Sequence, residues 1–386
     1  MRPVNLQALR LSFQYAALFG VVGIMLPYWP VWLASRGLGP VEIGLVTGIT
    51  AWGKMLINPL AGQAADALGR PRLVMAALAA GSLALYAVIS GVSGVWGLAL
   101  VTLMASGLFA ALMPLTETMT LAQARSQGVE YGRVRLWGSI SFIVLSTTMG
   151  PLIDTLGPAL VPWVVVGFLA LVLAGVAGLP AGPGRSRPAS GQARRFLTSG
   201  PFLLFLLSSG LIQAGHATYY TFATLHWRAA GLDGLTIGLL WAEGVVAEVI
   251  LFLVGAGLVR RIGPLGLMGV GAACGIVRWS ITATTTDPQV LMVTQVLHAG
   301  TFACAHLGAM HHLARTVPVA VANRAQALYS TICQGVIMGA AMSFAGPLYG
   351  ALGGHAFFVD AGWCALGGGC ALLLALRYRH RPAEAV

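Results

Sequence analysis

Long apolar runs separated by short polar segments are the feature that most constrains the fold of this 386-residue chain. A helix that crosses the hydrocarbon core of a bilayer needs about 20 consecutive, mostly apolar residues. The chain has about twelve such runs, and each predicts a spanning helix. Their ranges are 9–34, 42–64, 73–92, 95–122, 134–156, 158–179, 201–227, 235–258, 265–285, 288–314, 325–350 and 356–376. The sequence therefore predicts an all-α, multi-pass integral membrane protein.

The composition argues against a soluble or nucleic-acid-binding protein. Only 9% of the residues are charged and 57% are hydrophobic, whereas a soluble domain is about 25% charged. The net charge of +11 is the difference between 22 basic residues, which are 21 arginines and Lys54, and 11 acidic residues. The arginines lie in short clusters between apolar runs, without the basic face that a nucleic acid needs. The five cysteines lack C-x-x-C spacing, so neither a disulfide framework nor a zinc site is expected.

The distribution of arginines predicts the orientation. If both termini are cytoplasmic, the inside segments hold 18 arginines and the outside loops hold only Arg36 and Arg228. Cytoplasmic loops of membrane proteins carry such an excess of positive charge. The first apolar run is long and has no small-residue cleavage pattern, so we interpret it as a retained span and not a signal peptide. The expected location is a bacterial inner membrane, with both termini in the cytoplasm.

One long polar break divides the chain. Residues 180–195 are rich in Pro, Gly, Ser and Arg, which is typical of a flexible linker. We predict an N-terminal six-helix bundle at 1–180, a cytoplasmic linker at 181–199, a C-terminal six-helix bundle at 200–376 and a cytoplasmic tail at 377–386.

The two predicted halves resemble each other in sequence. Gly37-Leu38 recurs as Gly231-Leu232, and Gly150-Pro151-Leu152 recurs as Gly346-Pro347-Leu348, in the same order and at nearly the same offset. Duplicated bundles of this kind are typical of transporters whose substrate site lies at the midplane between the repeats.

Three groups of residues carry a resemblance to a known family. The loop Gly62-x-x-x-Asp66-x-x-Gly69-Arg70-x-Arg72 resembles the G-x-x-x-D-x-x-G-R-x-R loop of the major facilitator superfamily, and a degenerate copy at 257–263 lacks the aspartate. Residues 130–139 resemble both the 3-phenylpropionate permease family and the related lactose permease type of oligosaccharide:proton symporter. Residues 213–220, 244–250 and 277–279 resemble the phenylpropionate permease group. The resemblance implies two pseudo-symmetric six-helix bundles, alternating access for a small solute, no cofactor and a functional monomer.

Ionisable residues in spanning segments are costly, which makes function or pairing the default expectation. Glu117 and Arg135 match an acid and an arginine that bind substrate hydroxyls in the sugar symporters that this chain resembles. The alternative is a structural salt bridge at the cytoplasmic end of helices 4 and 5. Phe142 stands where those permeases have Trp, and it either contacts an apolar ligand or packs in the core.

In the second half, Arg278 and His298 match positions used for proton coupling in the lactose permease type. The essential acid three residues beyond that histidine is here Thr301, so the same relay cannot operate. Glu248 is our first choice for the proton-carrying acid and Glu243 the second, although Glu248 could instead be a permanent ion pair with Arg278. The two acids are five apart, about 140° around a helix, and are not one dyad.

Further polar residues are candidates for the substrate cavity. His216, Tyr219 and Tyr220 offer hydrogen-bond donors, and Tyr28 lies between two prolines that we expect to break helix 1. Lys54, the only lysine, is either neutral or attracts an anionic substrate. One helix face carries His298, Phe302 and His306. These residues could form a proton path, a structural stripe or a metal pair, although no third metal ligand is evident.

The leading hypothesis is a proton-coupled importer of a small organic solute, with an aromatic or other carboxylic acid favoured. A sugar or nucleoside symporter and an efflux pump of the same fold are the alternatives. An enzyme is not expected, because the chain has no G-x-S-x-G or H-E-x-x-H motif. The stretch from Gly48 to Lys54 imitates a phosphate-binding loop, but Met55 replaces the required Ser or Thr.

Overall fold

The structure is a computed structural model that describes residues 6–179, 196–318 and 321–378. These residues are predominantly helical and contain no β-strand. Most of the predicted linker, 181–195, and the end of the predicted tail, 379–386, lie outside the described residues. An all-α fold was the expectation, and it is confirmed for the described part of the chain.

The first half supplies six helices, each within a few residues of a predicted run. They are α1 (Leu6–Ser35), α2 (Pro40–Leu68), α3 (Pro71–Val88), α4 (Val95–Gln127), α5 (Tyr131–Leu156) and α6 (Leu160–Gly178). The predicted break of helix 1 is wrong, because α1 continues through Pro27 and Pro30. Membrane helices tolerate proline when neighbouring groups and local adjustments satisfy the freed carbonyls.

The second half contains helices that are less regular. They are α7a (Gly200–Ala214), α7b (Ala217–Ala229), α8 (Gly234–Ile262), α9 (Pro264–Thr282), α10 (Pro288–Thr316), α11 (322–352) and α12 (Phe357–Tyr378). Helix α10 is interrupted at 296–297 and continues as a π-helix over Ala299–Cys304. Helix α11 contains a second π-helix at Ser330–Ile337.

By length and composition, ten helical stretches among the described residues could cross a membrane. Helix α2, which contains Glu42, Lys54 and Asp66, is not one of them. The stretch Arg324–Arg377 counts once, although the 3₁₀ turn Gly353–Ala356 separates α11 from α12. The predicted number of about twelve spans therefore stays a prediction.

Glycines at matching places in the two halves share an unusual backbone conformation. A positive φ is disfavoured for residues with a Cβ, so glycine is used where a helix ends in a left-handed turn. Gly69, with φ 61°, ends α2 in this way, and its N–H donates to the carbonyl of Ala65. The pairs Gly37 and Gly231, Gly69 and Gly263, and Gly157 and Gly353 all have positive φ.

Two compact units describe the packing. The first contains the described part of Met1–Arg187 together with Gly231–Ala242, and the second contains the described part of Pro188–Ala230 and Glu243–Val386. The first unit therefore includes the start of α8, where the N–H of Gly234 donates to Oδ2 of Asp154 on α5 at 2.7 Å. The predicted domain boundaries stay predictions.

Small residues set the distance between α2 and α4 in the first unit. A Cβ on Gly53 would lie 2.8 Å from the backbone oxygen of Leu103. We expect Gly53→Val to lower the free energy of unfolding by about 1–3 kcal/mol, because the helix backbones must separate. Gly167→Val is the matched control, since nothing lies within 4 Å of a Cβ at Gly167. Thermal unfolding of both variants in detergent measures the effect, and equal melting temperatures would contradict it.

Candidate functional site

A buried arginine is the centre of a polar network in the second unit. The side chain of Arg278, on α9, is 0% exposed. Its Nη1 donates to Oγ1 of Thr301 at 3.1 Å and lies 2.9 Å from Nδ1 of His298. Its Nη2 donates to Oε1 of Gln295 at 2.5 Å. Three residues of α10 therefore hold the guanidinium from one side.

Aromatic rings cover the guanidinium of Arg278. Its central carbon lies 4.6 Å from the ring centroid of Tyr219 and 4.3 Å from that of Trp279. The hydroxyl of Tyr219 donates to the same Gln295 Oε1 that accepts from Arg278, at 3.2 Å. Cation–π contacts stabilise a desolvated cation without neutralising it, so the positive charge of the site remains available.

The network has more donors than acceptors. Among the described residues, no carboxylate oxygen lies within 4.0 Å of the guanidinium of Arg278, and its buried Nε has no hydrogen-bond partner. The buried Nε2 of Gln295 also has none. The alternative that Glu248 is a permanent ion pair with Arg278 is therefore wrong. A buried cation without a carboxylate in salt-bridge contact, beside unused donors, is expensive, and an anion could accept from those donors.

Interrupted helices explain how the chain brings these residues together. Helix α7 turns at Gly215 and His216 before α7b begins. Helix α10 is interrupted immediately before His298, and the following π-helix holds Thr301. Interrupted membrane helices often line substrate and ion sites, and π-helical turns occur frequently at functional positions.

His298 links the network to an acid. Its Nε2 lies 3.5 Å from Oε2 of Glu248 on α8, and both side chains are largely buried. Gly244 permits this approach, because a Cβ there would lie 3.2 Å from the Cβ of His298. Glu243 is half-buried, and its buried Oε2 has no hydrogen-bond partner. The structure thus places Glu248, and not Glu243, in an ion-pairing position with the histidine.

The predicted stripe on α10 is present. The rings of His298 and Phe302 stack at 5.6 Å, and those of Phe302 and His306 at 6.0 Å. His216 joins this cluster from α7, with its Nε2 3.1 Å from Oγ1 of Thr301 and its ring stacked on Tyr220 at 5.3 Å. The described residues contain no group of three potential metal ligands.

The first unit brings Glu117 and Arg135 near each other. The two charges interact electrostatically, but in the described chain no nitrogen–oxygen distance of 4.0 Å or less joins them. The guanidinium of Arg135 lies 4.0 Å from the ring centroid of Phe19 and 5.6 Å from that of Tyr15. Both Glu117 and Arg135 are half-buried, so a ligand could reach them. A close structural salt bridge is not what the structure shows.

Three other sequence candidates have different environments. Phe142 is 6% exposed and lies at the α1–α5 contact, where a Cβ on Gly23 would meet its backbone. Tyr28 is fully buried and donates to the carbonyl of Ser146 at 2.5 Å. Both therefore belong to the packing of the first unit. The side chain of Lys54 is exposed on the surface of α2.

The predicted loop motif lies between α2 and α3. Gly62 and Asp66 are on the last turns of α2, Gly69 ends that helix, and Arg70 precedes α3. Asp66 and Arg70 are exposed. Nη2 of Arg72 donates to the carbonyl of Ala177 at the end of α6, at 2.6 Å. This hydrogen bond connects the loop to α6, which gives the last arginine of the motif a structural role.

Sequence reasoning missed Gln295 of the network and two residues that are hydrogen-bonded to each other beside it, Thr218 and Asp360. Gln295 and Thr218 are uncharged, so neither residue is distinguished from the other polar residues of the apolar runs by the sequence alone. Asp360 lies near the start of α12 and is 1% exposed. An acid in the last apolar run was a signal for it.

The helical architecture and the comparisons with known proteins together define the class of protein. The chain is a secondary transporter with the fold of the major facilitator superfamily. A crystal structure of the nucleoside transporter NupG superposes with a TM-score of 0.81 at 16% identity, covering 98% of this chain and 100% of that one. Residues 8–359 match the MFS_1 like family, and the chain belongs to that family.

Two curated relatives are similar along most of their length. The "Probable 3-phenylpropionic acid transporter" of Escherichia coli (strain K12) is 34% identical over 366 residues, which cover 91% of this chain and 93% of that protein. The "Maltose permease" of Geobacillus stearothermophilus is 29% identical over 332 residues, covering 83% and 82%. The predicted resemblance to the phenylpropionate permease family is confirmed.

Proposed function

We propose that this protein is a proton-coupled symporter of a carboxylic acid, with an aromatic acid as the first choice, that works as a monomer in a bacterial inner membrane by alternating access. The observation that supports this most is the buried Arg278 without a carboxylate partner among the described residues. A carboxylate substrate would place a negative charge directly against the guanidinium and accept from the unused donors of the network.

The surroundings of Arg278 also favour an aromatic substrate. Tyr219, Tyr220 and His216 lie on α7, and Phe302 lies on α10, so that several rings surround the polar centre. Aromatic rings prefer offset or edge-to-face contacts with other rings. The name of the E. coli relative, a probable 3-phenylpropionic acid transporter, points to the same substrate class.

Glu248 and His298 are the proposed proton-coupling pair. A proton bound on Glu248 would travel together with a bound carboxylate anion, so binding and release would leave the net charge of the site unchanged. Nδ1 of His298 accepts from Nη1 of Arg278, so the single proton of the imidazole lies on Nε2, which faces Glu248. When the site empties, the substrate and the proton leave together. Nε2 of His298 lies 3.5 Å from Oε2 of Glu248, so the imidazole faces the carboxyl group that we propose to carry the proton.

The first unit contributes charged residues to a separate step of the proposed cycle. Arg135 is half-buried, Lys54 is exposed on α2, and Glu117 interacts electrostatically with Arg135. In this proposal Arg135 and Lys54 attract the anion during one half of the transport cycle, and Arg278 holds it. Electrostatic attraction of this kind raises the local concentration of a charged substrate.

A sugar or nucleoside substrate is the second candidate. The maltose permease relative supports a sugar, and the acid–arginine positions Glu117 and Arg135 are where the sugar symporters bind hydroxyls. The structural similarity to the nucleoside transporter shows the shared fold alone. Position 142 has Phe where the sugar permeases have Trp, and Phe142 is buried. Both facts weigh against a sugar ring that stacks on this residue.

Uptake by purified protein in proteoliposomes tests these alternatives. We expect radiolabelled 3-phenylpropionate or benzoate to accumulate faster than in protein-free liposomes when the outside is more acidic, and a protonophore to abolish the accumulation that depends on the protein. Maltose and a nucleoside are the comparison substrates in the same vesicles. Accumulation of maltose alone would contradict the acid proposal, and accumulation only when the gradient is reversed would favour an efflux pump.

A further inference from the structure

A buried aspartate occupies a position that the proposed transport cycle does not use. Asp360, on α12, accepts hydrogen bonds from the backbone N–H and the hydroxyl of Thr218, at 3.3 and 2.8 Å, through Oδ1. Its Oδ2 accepts from the backbone N–H of Tyr219 at 3.3 Å. The carboxyl group therefore holds the first turn of α7b from a different helix.

The start of α7b lacks a capping side chain of its own. His216 precedes the helix and makes no side-chain capping hydrogen bond. The first N–H groups of a helix have no partner within the helix and need an external acceptor. Inside a membrane, water is not available for this purpose. Asp360 supplies the acceptor at the positive end of the helix dipole.

The first turn of α7b carries one wall of the arginine site. The backbone N–H of Tyr219 is bound by Asp360, whereas its ring covers the guanidinium of Arg278 and its hydroxyl binds Gln295. Asp360 itself interacts electrostatically with Arg278. A shift of α7b would therefore move the ring of Tyr219 away from Arg278. It would also break the hydrogen bond between the Tyr219 hydroxyl and Gln295.

We propose that Asp360 is a positioning residue of the transport site: from α12 it fixes the start of α7b and so keeps Tyr219 against Arg278. This inference rests on the proposed function in assigning Arg278 to the substrate. The claim that Asp360 fixes the start of α7b does not depend on the proposed function, because it concerns only contacts within the second unit. The test accordingly has one readout with substrate and one without.

The readout without substrate is hydrogen exchange of the peptide that covers 216–224, measured by mass spectrometry in detergent. We expect Asp360→Asn to accelerate exchange of these amides about tenfold, because the N–H groups lose one acceptor and meet a new donor. Thr218→Val should produce a smaller acceleration, and Thr218→Ser should restore the wild-type rate because the hydroxyl remains. Unchanged exchange in Asp360→Asn would overturn the proposal whatever the substrate is.

The readout with substrate is counterflow exchange of 3-phenylpropionate in proteoliposomes. We expect Asp360→Asn to raise the half-saturating concentration about tenfold while the maximal rate per folded protein changes much less, as for loss of binding geometry. Asp233→Asn is the matched control: Asp233 is an exposed aspartate that caps the start of α8 through Thr236. Its half-saturating concentration should not change.

The two readouts separate the possible failures. Accelerated exchange with an unchanged half-saturating concentration would make Asp360 a structural cap only and overturn its positioning role. A wild-type protein that exchanges none of the tested acids would overturn the proposed function. In that case the hydrogen-exchange arm still decides whether Asp360 holds α7b.

Discussion

Replacement of Arg278 by lysine is expected to lower the uptake of an aromatic carboxylate by about 100-fold or more, which corresponds to about 2.7 kcal/mol. The guanidinium binds two acceptors through Nη2 and Nη1 and lies flat against two rings. An ammonium group is a single point charge on a flexible stem and cannot reproduce this planar arrangement. The measurement is initial uptake into proteoliposomes, normalised to folded protein.

The lysine variant keeps the positive charge. A loss of uptake would therefore show that the planar geometry of the guanidinium is needed in addition to its charge. Arg261→Lys is the matched control, because Arg261 is exposed at the end of α8. Binding adds a second readout: an aromatic acid should raise the melting temperature of the wild type and of Arg261→Lys, but not that of Arg278→Lys. A normal ligand-induced shift in Arg278→Lys would place the carboxylate elsewhere.

Replacement of Glu248 by glutamine is expected to uncouple substrate movement from protons. Glutamine has nearly the same size and can still bind His298, but it cannot gain or lose a proton. With one coupled proton, a pH difference of one unit supports an accumulation of about tenfold. We expect this accumulation to disappear in Glu248→Gln, while exchange of labelled for unlabelled substrate across the same vesicles continues.

Glu243→Gln separates the two acids of α8. Glu243 is five residues away, and no hydrogen-bond partner contacts its buried Oε2. If Glu248 carries the proton, Glu243→Gln should accumulate substrate as the wild type does. Loss of accumulation in Glu243→Gln alone would exchange the roles of the two acids. Full accumulation in both variants would exclude α8 as the proton-carrying helix.

The helices could be predicted well because the thickness of a bilayer fixes the length of each apolar run. The places where the helices are interrupted could not be predicted. Val296 and Leu297 are apolar and contain no helix breaker, yet α10 is interrupted there. Conversely, Pro27 and Pro30 predicted a break that α1 does not have. Both differences arise from tertiary packing, which local sequence does not encode.

The ionisable residues of the site could be found because charge in an apolar run is expensive. Their partners could not, because hydrogen bonding depends on which helices are neighbours. Glu248 was a candidate for an ion pair with Arg278, but the fold places it beside His298. Asp360 lies near the end of the chain, and only the packing of α12 against α7 shows that it holds Thr218.

Because α10 contains a π-helix, the number of residues in this helix determines which of its side chains face Arg278. A π turn accommodates one residue more than the surrounding α-helix, and each residue of an α-helix turns the chain by about 100°. Deleting Ala303 from Ala299–Cys304 would restore a regular helix, and the side chains inside that turn, Thr301 among them, would present a different face to α9. Relatives with one residue fewer in this segment would therefore need a different set of side chains to surround the arginine.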